Sequence, residues 1–133
     1  MIRSQTTKDI GRLGEQIASD YLKKYKLTII NRNYWKKWGE LDIVARETEG
    51  KVHFIEVKAV SYETKADLKQ SVTHETWRPE EQVHERKMHQ IHKALESWLT
   101  EYNYVGDWQI DVVAVRMVVG EKFATVKWLK NVV

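Results

Sequence analysis

Gly39-Glu40-Leu41-Asp42-Ile43-Val44-Ala45, then Arg46-Glu47-Thr48-Glu49-Gly50-Lys51, then Val52-His53-Phe54-Ile55-Glu56-Val57-Lys58-Ala59 is the stretch that decides the fold. Two short apolar runs flank a polar, glycine-containing turn, which is a hairpin signal. Charged residues fall at alternate positions in both runs, and alternate residues of a strand share one face. Glu40, Asp42 and Val44 therefore face one way on the first strand, and Phe54, Glu56 and Lys58 share a face on its partner. A symmetric turn centred at Glu49 sets Asp42 opposite Glu56 and Glu40 opposite Lys58. Like charges directly across a strand pair cost roughly 0.2–1 kcal/mol. The flanking Leu41, Ile43, Ile55 and Val57 suggest central strands, where polar side chains are unwelcome. A sequence that accepts such a conflict usually has a use for it. The natural use is a divalent cation, because Mg²⁺ takes hard oxygen ligands and typically one or two protein carboxylates. Lys58 lies two residues beyond Glu56, placed to orient a water or to stabilise anionic charge.

Length and composition narrow the class. A chain of 133 residues suits one domain, 1–133, with a core large enough to need no disulfide or structural metal. Hydrophobic residues make up 42% and charged residues 31%, and there is no cysteine, which rules out a disulfide framework or thiolate zinc site. A net charge of +3 and a pI near 9.0 permit nucleic acid as a partner without requiring it. The first residues carry no signal-peptide core, and no apolar run reaches the roughly 20 residues of a membrane span. A cytoplasmic protein with no membrane partner is the expectation.

The order of motifs carries a resemblance. Asp42, a spacer of 13 residues, and Glu56-Val57-Lys58 resemble the D…(D/E)-x-K motif of restriction-endonuclease-like nucleases. Gly14-Glu15 with Ala18, Asn31-Arg32-Asn33, Gly39-Glu40-Leu41-Asp42, Phe54-Ile55-Glu56-Val57-Lys58, Lys87 and Asp111-Val112-Val113 are similar, in that order, to the YraN-like family of predicted endonucleases. That family is itself similar to archaeal Holliday-junction resolvases. The resemblance implies an α/β fold, a restriction-endonuclease-like core with a mixed β-sheet of about five strands flanked by helices. It implies a metal-dependent endonuclease that cleaves phosphodiester bonds, in DNA rather than RNA, including branched DNA. In that reading Asp42, Glu56 and the carbonyl of Val57 hold Mg²⁺ or Mn²⁺, Lys58 positions the attacking water, and Glu15 is the helix glutamate that joins the site. Two symmetric cuts in a branched substrate would need a homodimer.

The rest of the chain reads as helix, three strands, long loop, helix, two strands. Thr6 or Thr7 opens the first helix, with Ile10, Leu13, Ile17 and Tyr21 at helical spacing and Gly11, Gly14 and Ala18 beside them for close packing. Glu15 falls at the edge of that face. Leu27 to Trp35 reads as a first strand. Arg32, Lys36, Lys37 and Lys87 are the candidate nucleic-acid contacts, while Trp35 and Trp38 are expected to pack on the core. Ser61 to Val83 is polar and has little periodicity, and reads as a long loop beside the site.

Arg78-Pro79-Glu80-Glu81 reads as a helix start, and Met88, Ile91, Leu95, Trp98, Leu99 and Tyr102 form its core stripe. His84, His89 and His92 lack the partners for a tetrahedral zinc set. Trp108 to Val119 reads as a strand buried on both faces, in which Asp111 needs a backbone amide or basic partner. Phe123 to Lys130 reads as an edge strand guarded by lysines. Two alternatives stand beside the nuclease. One is a catalytically silent nucleic-acid-binding or assembly module. The other is a purely structural network of Asp42, Glu56, Glu40 and Lys58.

Overall fold

The computed structural model describes residues 6–73 and 85–132. Helix α1 (Thr7–Lys24) begins with Thr6 as N-cap. The Thr6 hydroxyl accepts from the Asp9 amide, and the Asp9 carboxylate accepts from the Thr6 amide. This reciprocal pair satisfies two donors that a helix start otherwise leaves bare. Three antiparallel strands follow: β1 (Thr28–Lys36), β2 (Gly39–Arg46) and β3 (Val52–Ser61). Two helices come next, α2 (Lys65–Thr73) and α3 (Glu85–Glu101). Strand β4 (Trp108–Val118) runs parallel to β3, and β5 (Phe123–Leu129) returns antiparallel to β4. The sheet order is β1-β2-β3-β4-β5, so this is the five-stranded mixed sheet, flanked by helices, that the resemblance implies.

Each face of the sheet has its own core. Ala18 and Leu22 of α1 pack with Ile43, Ala45, Ile55, Val113, Val115 and Met117. On the other face Ile91, Leu95 and Trp98 of α3 pack with Leu41, Val44, Phe54 and Ile110. Strands covered on both faces should read as continuous apolar runs, and β4 does. Two glycines set how closely the helices approach. A Cβ at Gly14 would lie 2.5 Å from the Cβ of Ala59, so α1 rests directly on β3. A Cβ at Gly39 would collide with the carbonyl of Gln90, so the start of β2 lies against the backbone of α3.

Two expectations need correction. The segment from Ser61 is not loop throughout, since Lys65–Thr73 forms α2. The Thr64 hydroxyl accepts from the Asp67 amide and Leu68 is buried, which is too short a pattern to register as periodicity. The expected helix start at Arg78-Pro79-Glu80-Glu81, the rest of the proposed loop, and His84 lie outside the described residues. Trp35 and Trp38 do not pack on the core either: they are 68% and 49% exposed. Trp35 lies near the end of β1 and Trp38 in the β1–β2 turn, Tyr34 and Leu41 fill the core instead, and the Trp38 indole donates to Ser97 Oγ of α3 at 2.9 Å. Among the described residues no helix is long and apolar enough to cross a membrane.

Asp111 finds both kinds of partner expected for it. It is fully buried, and accepts from the Asn131 amide at 2.8 Å, the Gln109 amide group at 2.7 Å and the Trp128 indole at 2.9 Å. Its Oδ2 also lies 2.6 Å from Nδ1 of buried His53, whose Nε2 lies 2.6 Å from Glu47 Oε2. Burial opposes charge on the imidazole, but the bonds to Asp111 and Glu47 outweigh it and raise its pKa above the usual 6.5. Burial likewise opposes charge on Asp111, and the bond from His53 leads the four that hold its pKa low. A pair locked in this way is worth most when neither member can be removed. His53→Ala is expected to lower unfolding stability at pH 6 by about 3–5 kcal/mol, read by chemical denaturation. A histidine with a raised folded pKa contributes fully below about 6.5 and loses that contribution as pH rises through the folded value. The wild type should show this loss above pH 6.5 and the variant should not.

Candidate functional site

The site forms where β2 and β3 part. Their ladder pairs Arg46 with Val52, Ala45 with His53, Val44 with Phe54 and Ile43 with Ile55, and stops there. One step further in the same register sets Asp42 opposite Glu56, as the turn centred at Glu49 requires. In place of the next ladder bond, the Asp42 Oδ2 accepts from the Val57 amide at 2.8 Å. Strand β1 departs from regular geometry at the same level, because Asn33 takes a left-handed conformation with φ of 54°. Its amide nitrogen, turned toward α1, donates to both Glu15 oxygens at 3.0 and 3.2 Å.

Glu15, Asp42 and Glu56 thus line one cleft of about 530 Å³, walled also by Gly11, Val57 and Ala59. Asp42 is 8% exposed and Glu56 5%. Burial, then the Glu56 charge beside it, push the Asp42 carboxyl up to about 7, against the pull of the Val57 amide and Lys87. Burial and the nearby Asp42 also raise Glu15, and the Asn33 amide only partly offsets them. Glu56 Oε1 faces two cations, Lys87 Nζ at 3.5 Å and Lys58 Nζ at 3.6 Å. Glu56 Oε2 is buried and has no hydrogen-bond partner among the described residues when both carboxyls are ionised, while a protonated Asp42 is placed to bond Glu56.

An orphaned carboxylate oxygen in a dry site is costly. Beside a second buried carboxyl that gives up its proton only near neutrality, it is a donor set suited to a hard cation. The residues present therefore fit Mg²⁺ or Mn²⁺ through Asp42, Glu56 and the Val57 carbonyl. Among the described residues no three His, Cys, Asp or Glu side chains are drawn together as a finished cage. A cation here would take two carboxylates and complete its shell with backbone and water, which is the habit of Mg²⁺.

The candidate phosphate contacts scatter. Arg32 donates to Gln16 at 2.8 Å on the α1 side, Lys36 pairs with Glu101 at 3.3 Å, and Lys37 is exposed at the β1–β2 turn. Lys87 alone of the four reaches the carboxylates. A larger cleft of about 610 Å³ lies between the β1–β2 turn and α3. It mixes Lys36 and Lys93 with Glu96 and Glu101, has no buried orphan group among its lining residues, and offers less chemistry. Sequence reading missed the Asn33–Glu15 bond. The signal was Asn inside a β-rich run, a residue type that tolerates the left-handed region.

A carboxyl whose folded pKa is raised inverts the usual acid-side behaviour. The folded state holds the extra proton between about pH 4 and pH 7, so stability falls as pH rises through that window and then levels. Each pKa unit is worth about 1.4 kcal/mol. Asp42→Asn keeps an acceptor for the Val57 amide and removes the charge. In EDTA the variant is expected to be more stable than the wild type at pH 8, and to flatten the pH 4–7 slope. Denaturant titrations at pH 5 and pH 8 read both effects.

The profile of the family described as "Uncharacterised protein family UPF0102" matches residues 14–115, which span every candidate site residue. A UPF0102 protein of Trichlorobacter lovleyi is 34% identical over 92% of this chain and 87% of its own length. One from Mycolicibacterium vanbaalenii is 32% identical over 88% of each chain. A third, from Campylobacter jejuni, is 32% identical over 80% of this chain and 82% of its own.

Proposed function

We propose that the chain, which belongs to the UPF0102 family, is a metal-dependent endonuclease that hydrolyses phosphodiester bonds in nucleic acid, DNA in preference to RNA. The observation that carries this reading is the buried Asp42–Glu56 pair with its orphaned Glu56 Oε2, opening on the same cleft as Glu15. Asp42, Glu56 and the Val57 carbonyl hold Mg²⁺ or Mn²⁺. The bound ion supplies Lewis-acid polarisation of the phosphate and lowers the pKa of water. The Val57 amide fixes the Asp42 carboxylate, so its free oxygen is presented without rotamer search. Lys58, two residues along β3, orients the attacking water and offsets charge on the phosphate. Glu15, held by Asn33 and made a stronger base by burial and the nearby Asp42, takes a proton from water within the cleft. Lys37, Arg32 and Lys36 would meet the sugar-phosphate backbone further from the carboxylates, Arg32 and Lys36 in exchange for Gln16 and Glu101. A branched substrate cut symmetrically would take a homodimer.

A second reading is favoured by one contact set, the two lysines already on Glu56 Oε1. It makes the cluster a salt-bridge network in a silent binding module. One titration separates the two. Mn²⁺ is expected to bind the wild type and not Asp42→Asn, with affinity rising through about pH 7 as Asp42 sheds its proton. Labelled linear, single-stranded and four-way-junction DNA, offered over the same Mn²⁺ range, should be cut by the wild type only. Absence of Mn²⁺ binding by the wild type would sink the nuclease and leave the silent module.

A further inference from the structure

Glu56 Oε1 is shared by two lysines of different standing. Lys58 belongs to β3, the strand that carries Glu56, and its residue is paired with Ala114 of β4, so its Cα stays two residues from Glu56. Lys87 comes from α3, a separate element, and its side chain is 30% exposed. The helix behind it is fixed by Ile91, Leu95 and Trp98 in the core and by the Gly39–Gln90 contact. Its Cα is therefore held while a flexible four-carbon stem carries the charge. At 3.5 Å the Lys87 ammonium attracts Glu56 chiefly by charge, since it is longer than an ordinary N–H···O bond. The other oxygen, Oε2, is left without a partner among the described residues.

We propose that Lys87 is an exchangeable counter-ion. It neutralises Glu56 when no divalent cation is bound, and it turns to a nucleic-acid phosphate when one is. This rests on the reading of the cleft as a cation site. The physical reason is charge balance. Two lysines already suffice for Glu56, and a divalent cation against the same carboxylate repels both. Lys58 is committed to the attacking water in the proposed reaction, so Lys87 is the one left to yield. It stays within reach of Glu56, and a lysine is an apt point charge for a phosphate brought to the same carboxylates. Lys87 thereby ties substrate affinity to cation loading: the backbone contact is fully offered only once the site is charged.

The test separates this role from a fixed salt bridge and from a constant phosphate contact. Mn²⁺ is titrated calorimetrically into wild type, Lys87→Met and Lys87→Arg without nucleic acid. Lys87→Met, which keeps the stem and removes the charge, should bind Mn²⁺ about tenfold more tightly. Lys87→Arg, which keeps the charge, should match the wild type and control for folding. Binding of phosphorothioate DNA is then followed against salt. The salt slope of Lys87→Met should be smaller than wild type by about one phosphate contact in Mn²⁺, and equal to it in EDTA.

Unchanged or weaker Mn²⁺ binding by Lys87→Met would overturn the exchange and make Lys87 a structural partner of Glu56. A slope difference of the same size with and without Mn²⁺ would also overturn it, leaving a constant phosphate contact. Wild type that binds Mn²⁺ but not DNA would overturn the phosphate half. Wild type that binds no Mn²⁺ would overturn the cation site and this proposal together, an outcome distinct from all three.

Discussion

Two carboxyl groups buried side by side are the constraint on which the rest depends. Asp42 and Glu56 meet where β2 leaves β3, and both are buried. Isolated, such a pair would repel and the strands would slip or separate. The surrounding structure answers in three ways. The Val57 amide, freed by the end of the ladder, donates to Asp42. Lys58 and Lys87 stand over Glu56 from two elements. Asp42 keeps its proton to about pH 7. What these leave unanswered is the second oxygen of Glu56.

Asp111, paired with Ile55 one step from Glu56, shows what a settled buried charge looks like. Asp111 takes four bonds, His53 is held at both nitrogens, and neither group has a free position. Trp128 closes the cluster from β5 by its indole bond and an edge contact to the His53 ring. The contrast matters for function, because buried titratable groups serve structure as often as chemistry. Satisfaction of the last lone pair separates the two clusters better than burial does.

The hairpin and its register were legible because they are local. Alternation, a glycine turn and one count from Glu49 suffice to put Asp42 opposite Glu56, and the observed pairs agree with that count. Asp111 was legible as a problem, since a carboxylate inside an apolar run must be answered, but not its solution, which comes from His53, Trp128 and Asn131. Glu15 lay at the edge of a helical stripe, and only the Gly14–Ala59 contact brings it over the sheet. Trp35 and Trp38 misled because aromatic content says nothing about whether a helix covers that part of the sheet. The short α2 escaped because two buried positions, Leu68 and Ser71, make no visible period. Lys87 sat at the edge of a stripe whose direction depends on how α3 crosses the sheet.

The parallel pairing of β3 with β4 carries a consequence for the order in which the protein assembles. Antiparallel β2 and β3 are joined by a short turn, so their closure is local and fast. Parallel strands need a crossover, and here α2 and α3 lie between β3 and β4. Asp42 and Glu56 are therefore brought together early, while Lys87, carried on the crossover, reaches them late. The nascent hairpin holds its acids against each other with only Lys58 nearby. The barrier to folding is thus set partly by chain closure over the crossover, and partly by how long that repulsion persists. Mild acidity, which relieves it, acts on the pathway as well as on the finished molecule.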